Sequence, residues 1–279
     1  MKFKKLTAAL SIAAFSIGLG ACSQTDSAQN ATSTESENAA ASSDLLETIK
    51  DRGALIVGLE GTYPPYSFHD ESGELKGFEV DLIKKIAEDL GVETQFVETK
   101  WDSLIAGVDV NKYDVVINNV EATDERKQKY DFTIPYANSI GKIAVPEDSD
   151  IQTVSDFSGK NAAQSVTSNF GAKAQELGAT VVPVDGFAQA IDLVTSGRAD
   201  ATLNDWVTFE QYLAEHPDAP IRLLDEDVQV GTGSRILLPK GQKALLDALN
   251  DALSKELSAG TVSELSKQYT SIDISAEAK

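Results

Sequence analysis

Cysteine is almost missing from this chain: of 279 residues one is Cys, at position 22. A lone thiol excludes an internal disulfide framework. Histidine is scarce too, with only His69 and His216, and neither has a second ligand at metal-binding spacing. There is no Walker loop and no G-x-S-x-G elbow, and Gly231-Thr-Gly-Ser234 is too short for a dinucleotide fingerprint. Nucleophile–base catalysis therefore lacks its usual parts. No cofactor and no metal are expected, and an enzyme is disfavoured. Basic residues are in the minority, 24 Lys and Arg against 44 Asp and Glu, for a net charge of −20. Such a balance opposes nucleic-acid binding, which depends on neutralising phosphates with cations. Beyond the N-terminus no apolar run is long enough to span a bilayer, which needs ~20 residues.

The N-terminus sets the compartment. Lys2, Lys4 and Lys5 precede a short apolar run to Leu19, and Leu19-Gly-Ala-Cys22 follows. A basic start, a short apolar stretch and small residues at a cleavage point describe a secretory signal over residues 1–21. A single Cys at that point resembles the bacterial lipobox, which makes Cys22 the expected lipidation site. Residues 22–43 carry no large apolar side chain. They cannot bury enough surface to offset their ordering entropy and read as a tether. The expected location is the outer face of the cytoplasmic membrane.

From Asp44 onward strand and helix patterns alternate. Ala54–Leu59 is a short apolar strand, and the helical spacing of Ile83, Ile86, Ala87 and Leu90 predicts a helix over 78–90 stopped by Gly91. Strands at 94–97 and 113–118 with a helix at 103–110 complete a βαβαβ series. A second series has strands at 161–164, 180–184 and 201–204 and helices at 169–177, 187–195 and 207–215. A last strand at 236–239 and a helix at 242–259, with a Leu246, Leu249, Leu253, Leu257 stripe, close the chain. Alternation of this kind argues for an α/β fold with largely parallel sheets, in two lobes of about a hundred residues each.

Five segments carry a family resemblance. Glu60-Gly-Thr-Tyr-Pro-Pro-Tyr-Ser-Phe68 with Gly73-Glu-Leu-Lys-Gly-Phe-Glu-Val-Asp-Leu82, then Thr123-Asp-Glu-Arg126 with Tyr130-Asp-Phe-Thr-Ile-Pro-Tyr136, then Asp200-Ala-Thr-Leu-Asn-Asp205, resemble the signatures of polar amino-acid-binding proteins of ABC importers, solute-binding protein family 3. The resemblance runs from about Leu45 to Tyr269. It implies a type II periplasmic-binding-protein fold, two lobes joined by two crossover strands that act as a hinge. The expected division is 44–135 plus 235–279 for lobe 1 and 136–234 for lobe 2, with crossovers near 136–143 and 229–234. The implied partners are a free amino acid, a permease and an ATPase subunit, with membrane contact through the lipid only and a monomeric binding protein.

The physics of a free amino acid explains why these residue types suit it. Its carboxylate calls for a planar, always-charged donor, and Arg126 matches the family's carboxylate-binding Arg; a surface pair with Asp124 or Glu125 is the plainer role. Its ammonium calls for an acceptor, and the family places an Asp where Asp205 stands; capping the next helix is the alternative. Thr167, Ser168 and Asn169 precede a helix, where backbone N–H groups can meet a carboxylate, although capping is again the ordinary reading. Asn119 and Glu121 match the segment that holds the ammonium in relatives. Glu121 stands where that segment usually has Thr, and either strengthens this contact or pairs with a surface lysine. Tyr63 and Trp101 match aromatic positions that enclose the ligand side chain, with core packing as the alternative. Glu60 matches an acid that reads the ligand's far end. The segments at 60–65, 118–121, 164–169 and 184–190 look most like the cystine-binding branch; a basic amino acid is also compatible with Glu60. Rival readings are a dehydratase of prephenate-like acids on the same scaffold and a sensor or adhesin.

Overall fold

The computed structural model describes residues 44–277. The signal segment, Cys22 and the tether lie outside the described residues.

Helix α1 (Leu45–Arg52) starts where the Asp44 carboxylate accepts the Leu46 N–H and stops at Gly53 in a left-handed conformation. It leads into β1 (Ala54–Leu59), buried along nearly its whole length. A small antiparallel sheet follows, of β2 (Thr62–Tyr63), β3 (Ser67–His69) and β4 (Leu75–Lys76). Next come α2 (Phe78–Leu90), ended by Gly91 as expected, β5 (Glu93–Glu98), the short helices α3 (Trp101–Leu104) and α4 (Ala106–Asp109), β6 (Val115–Val116), α5 (Asp124–Lys129) and β7 (Tyr130–Phe132). Strands β5, β1 and β6 are parallel, which is the arrangement the βαβαβ pattern predicts.

The second part opens with β8 (Gly141–Pro146), followed by β9 (Asn161–Gln164), α6 (Asn169–Glu176), β10 (Thr180–Pro183), α7 (Phe187–Thr195), β11 (Thr202–Asp205), α8 (Trp206–Glu215) and β12 (Ile221–Leu223). Here β9 and β10 are parallel, while β8 is the antiparallel centre between β11 and β12. An Ala162–Ala201 bridge joins the two groups. The chain then returns to the first sheet as β13 (Leu237–Pro239), antiparallel to β6 and β7, and finishes with α9 (Lys243–Ala259) and α10 (Thr261–Thr270).

Two details depart from the sequence expectation. The segment read as a crossover to residue 143 becomes a strand at Gly141, because Gly141 pairs with Val228 and Ile143 with Leu203. On α9 the inward stripe is Leu245, Leu249, Leu253 and Leu257 with Ala252 and Glu256, and Leu246 is only half-buried. Packing against α2 and α10 rotates the buried face away from the one that Leu spacing alone suggests. The passages between the two parts run antiparallel, with an Ala137–Ser234 bridge. One apolar cluster draws on both parts, joining Tyr63, Tyr66 and Phe78 to Ala163, Phe187 and Phe209. Among the described residues no helix is long and apolar enough to cross a membrane, and no His, Cys, Asp and Glu group could hold a metal ion.

Candidate functional site

A cavity lies where the strand ends of the first part face those of the second. About 490 Å³ of space between the atoms lies there, part of it continuous with solvent. From the first part it is lined by Glu60 after β1, Tyr63 on β2, Trp101 at the start of α3, and Asn118 and Asn119 after β6. From the second part come Gln164 and Ser165 after β9, Ser168 and Asn169 at the start of α6, Gly186 and Phe187 at the start of α7, and Asn204 on β11. Strand ends facing a cleft are the usual ligand position in α/β sheets.

Contacts cross this cleft at several points. The Tyr63 hydroxyl donates to Asn204 Oδ1 at 2.5 Å, and the Tyr66 hydroxyl to Asp205 Oδ1 at 2.8 Å. Thr167 Oγ1 donates to Asp102 at 2.8 Å, and Lys100 pairs with Asp185 at 2.6 Å on the exposed rim. Tyr63 stacks on Tyr66 and meets Phe187 edge-on.

Six of the ten residues expected at the site line this cavity: Glu60, Tyr63, Trp101, Asn119, Ser168 and Asn169. Four do not. Arg126 lies behind Trp101, its guanidinium 5.3 Å from the ring centre. Its Nη1 donates to the Glu121 carbonyl at 2.9 Å and its Nη2 to the Thr167 carbonyl at 3.1 Å, so it bridges the two parts. Only 9% of Arg126 is exposed, and burial lowers its pKa to about 10. No carboxylate forms an ion pair with it among the described residues, so the pair with Asp124 or Glu125 is not present. A buried guanidinium held by neutral carbonyls alone is poorly compensated.

Asp205 is fully buried, with Oδ1 accepting from Tyr66 and from the Val207 N–H and Oδ2 from Ser139 at 2.7 Å. It therefore caps α8, the plainer of its two expected roles, while also tying β11 to Tyr66 across the cleft. Burial raises its pKa, and the hydrogen bonds oppose the rise. Glu121 makes no ion pair with a surface lysine among the described residues. Its carboxylate accepts the Thr232 and Gly233 N–H groups at 2.9 and 3.1 Å, from the returning passage. A side chain at Gly231 would run into that carboxylate and push it off the two N–H groups. Thr167 is engaged by Asp102 on the rim, and Ser168 caps α6 by accepting the Gly171 N–H at 2.8 Å.

Glu60 is the acid in the cavity wall. Asn118 fixes it from both sides, accepting the Glu60 N–H at 2.8 Å and donating Nδ2 to Oε2 at 2.7 Å. Burial pushes its pKa up to about 7, against the Asn118 hydrogen bond. Three buried donors lining the cavity have no partner among the described residues: Trp101 Nε1 and Asn119 Nδ2 from the first part and Asn169 Nδ2 from the second. Unsatisfied buried donors are uncommon and cost about 1–3 kcal/mol each. Asn118, Gln164, Phe187 and Asn204 were not anticipated. Only the Asn pair at the end of an apolar strand offered a signal, since two consecutive amides there have no structural need.

The sequence profile of the bacterial extracellular solute-binding proteins, family 3, matches residues 55–272. This chain belongs to that family. An L-cystine-binding protein of Bacillus subtilis is 37% identical over 243 residues, covering 86% of this chain and 90% of the relative. Among solved structures, an ancestral arginine-binding protein bound to arginine is 34% identical with a TM-score of 0.73, covering 78% of this chain and 98% of its own. The L-cystine solute receptor of Neisseria gonorrhoeae in an unliganded open conformation is 38% identical, covers 84% of this chain and 99% of its own, and has a TM-score of 0.56. The fold of this family-3 binding protein is thus that of the type II periplasmic binding proteins, and substrate binding is its role.

Proposed function

We propose that this family-3 protein captures a polar amino acid, L-cystine above others, between its two lobes and presents it to an ABC importer from a lipid anchor on Cys22. The observation that carries this reading is Arg126, a nine-tenths buried cation beside the cavity with only carbonyl partners. An α-carboxylate supplies the missing charge through a two-pronged contact. Asp205, with Asn119 beside it, supplies the acceptor for the α-ammonium.

Lobe 1 spans 44–135 plus 235–279 and lobe 2 spans 136–234 in this proposal, so Arg126 and Asp205 stand on opposite lobes. A zwitterion is then satisfied only when both lobes close on it, and its binding shifts the population toward closure. The cross-cleft contacts suit the closed form. So does the higher TM-score to an arginine-bound structure than to a more identical open one. The L-cystine-binding relatives are 36–37% identical to this chain and the arginine-binding ones 28–30%, which favours cystine.

A thermal-shift screen of the protein against the common amino acids and cystine tests the reading. L-cystine should give the largest rise in Tm, and a flat response to every amino acid would discard the proposal. Replacing Cys22 with Ser should move the protein from the membrane to the soluble fraction of expressing bacteria; unchanged membrane association would remove the anchor.

A further inference from the structure

We infer that Glu121 is a hinge clamp: its carboxylate fixes residues 231–233 of the returning passage in the geometry of the closed form, and so favours closure and slows ligand release. The inference goes beyond the choice of ligand and rests on the two-lobed reading for its hinge. Three observations carry it.

First, the carboxylate occupies a backbone anion site and not the cavity. Glu121 is 1% exposed, and its two oxygens accept the consecutive Thr232 and Gly233 N–H groups at 2.9 and 3.1 Å. Consecutive N–H groups turned to one side form a concavity that suits an anion. Gly233 takes part with a φ of 106°, a conformation that strains any other residue. Gly231 leaves the space that Oε2 fills. Burial pushes the carboxyl pKa up, while the two N–H bonds and the Arg235 guanidinium pull it back.

Second, the clamp grips the passage where nothing else does. Ser234 is paired with the outgoing passage, its carbonyl accepting the Tyr136 N–H and its N–H donating to the Ala137 carbonyl, each at 2.9 Å. The Thr232 and Gly233 N–H groups have no partner but Glu121 among the described residues. Removing the carboxylate therefore frees several backbone angles at once, and a few such residues are enough to carry a hinge motion.

Third, Glu121 joins the hinge to a bond across the cleft. Its carbonyl accepts Arg126 Nη1, and Arg126 Nη2 reaches the Thr167 carbonyl on the other part. Beside it, Asn119 Oδ1 accepts the Ser234 hydroxyl and the Val120 carbonyl accepts the Arg235 N–H. Passage, strand end and facing loop thus form one ring of contacts. The ring is complete only while Arg126 reaches Thr167, which ties the clamped geometry to closure.

Two variants remove the clamp from opposite sides. Glu121→Gln keeps the side-chain length and the carbonyl for Arg126 but loses the charge, and Gly231→Ala drives the carboxylate off the N–H groups. Thermal melts first establish that each variant folds. Small-angle X-ray scattering without ligand should then give both a larger radius of gyration than wild type. With L-cystine, stopped-flow release should be about tenfold faster in each. The double variant should release no faster than the worse single one, because both changes act on one contact. A lower Tm with scattering and release unchanged would leave Glu121 a structural residue and overturn the clamp, as would additive effects in the double variant. If wild-type protein does not bind L-cystine, the ligand reading fails and the ligand-free scattering still decides the clamp.

Discussion

Arg126→Ala should weaken binding of the preferred amino acid by about a hundredfold or more in calorimetry. Truncating one partner of a buried, hydrogen-bonded charge pair costs about 2–5 kcal/mol, and each 1.4 kcal/mol is roughly a tenfold change. Two further effects act in the same direction. The variant loses the bond from Nη2 to the Thr167 carbonyl, one of the ties between the parts, and the cation that rests on Trp101. Arg126→Lys should recover part of the loss, since it restores charge without the planar fork. Asp205→Asn is the complementary change. An amide oxygen can still accept from Tyr66, Ser139 or Val207, so the fold should persist while the ammonium loses its countercharge. A similar drop in affinity is expected there. If both variants bind within threefold of wild type, the ligand's α-groups lie elsewhere.

The second large effect concerns stability rather than affinity. Glu79, at the start of α2, is fully buried, and its Oε1 accepts the Asn119 N–H at 2.5 Å and the Tyr136 hydroxyl. Its Oε2 has no partner. Burial raises the pKa from 4.5 to about 7, with Asp205 and Glu60 adding to the rise. A folded-state pKa above the unfolded one means that the native protein holds a proton which the unfolded chain has already released. The resulting stability is full below about 4.5 and is lost as the pH rises through about 7. Ligand-free protein should accordingly melt higher at pH 5 than at pH 8, with Glu60 contributing in the same sense.

Glu79→Gln removes the titration but keeps an oxygen for Asn119 and Tyr136, and its amide fills the unpartnered side. At pH 8 it should stabilise the protein by up to about 3 kcal/mol, at about 1.4 kcal/mol for each pH unit of pKa difference. For a chain of this size that is roughly 6–12 °C in Tm. The variant should also flatten the fall between pH 5 and 8. A lower Tm than wild type at pH 8 would show that the Glu79 charge is needed. Because Asn119 lines the cavity and Tyr136 lies on the passage between the parts, Glu79 ties the site to the hinge.

Much of the architecture was written in local patterns. Helix α2 could be bounded from its 3.6-residue spacing and Gly91, and α7 from Phe187 and the run up to Thr195, because these helices bury a single stripe. Strand β8 was hidden, since Gly141-Lys-Ile-Ala-Val-Pro146 is short and its strand character comes from partners more than fifty residues away. Helix α5 and strand β7 escaped for the same reason, being too short to carry a period.

For the site, sequence by itself determined which residue types were available: a guanidinium at Arg126, an acid at Glu60, aromatics at Tyr63 and Trp101, and amides at Asn119 and Asn169. Such types can be recognised because ligand chemistry limits the choice of partner. Tertiary structure alone decided what each one faces. Glu121 turned to the Thr232 and Gly233 N–H groups, Thr167 to Asp102, and Asp205 to Tyr66 and Ser139. The physical reason is that a buried polar atom must find a partner wherever the packed chain brings one, and those partners lie tens to more than a hundred residues away in sequence. What stayed unpartnered after that competition, Trp101 Nε1, Asn119 Nδ2 and Asn169 Nδ2 around the cavity, could be seen only once the chain had folded.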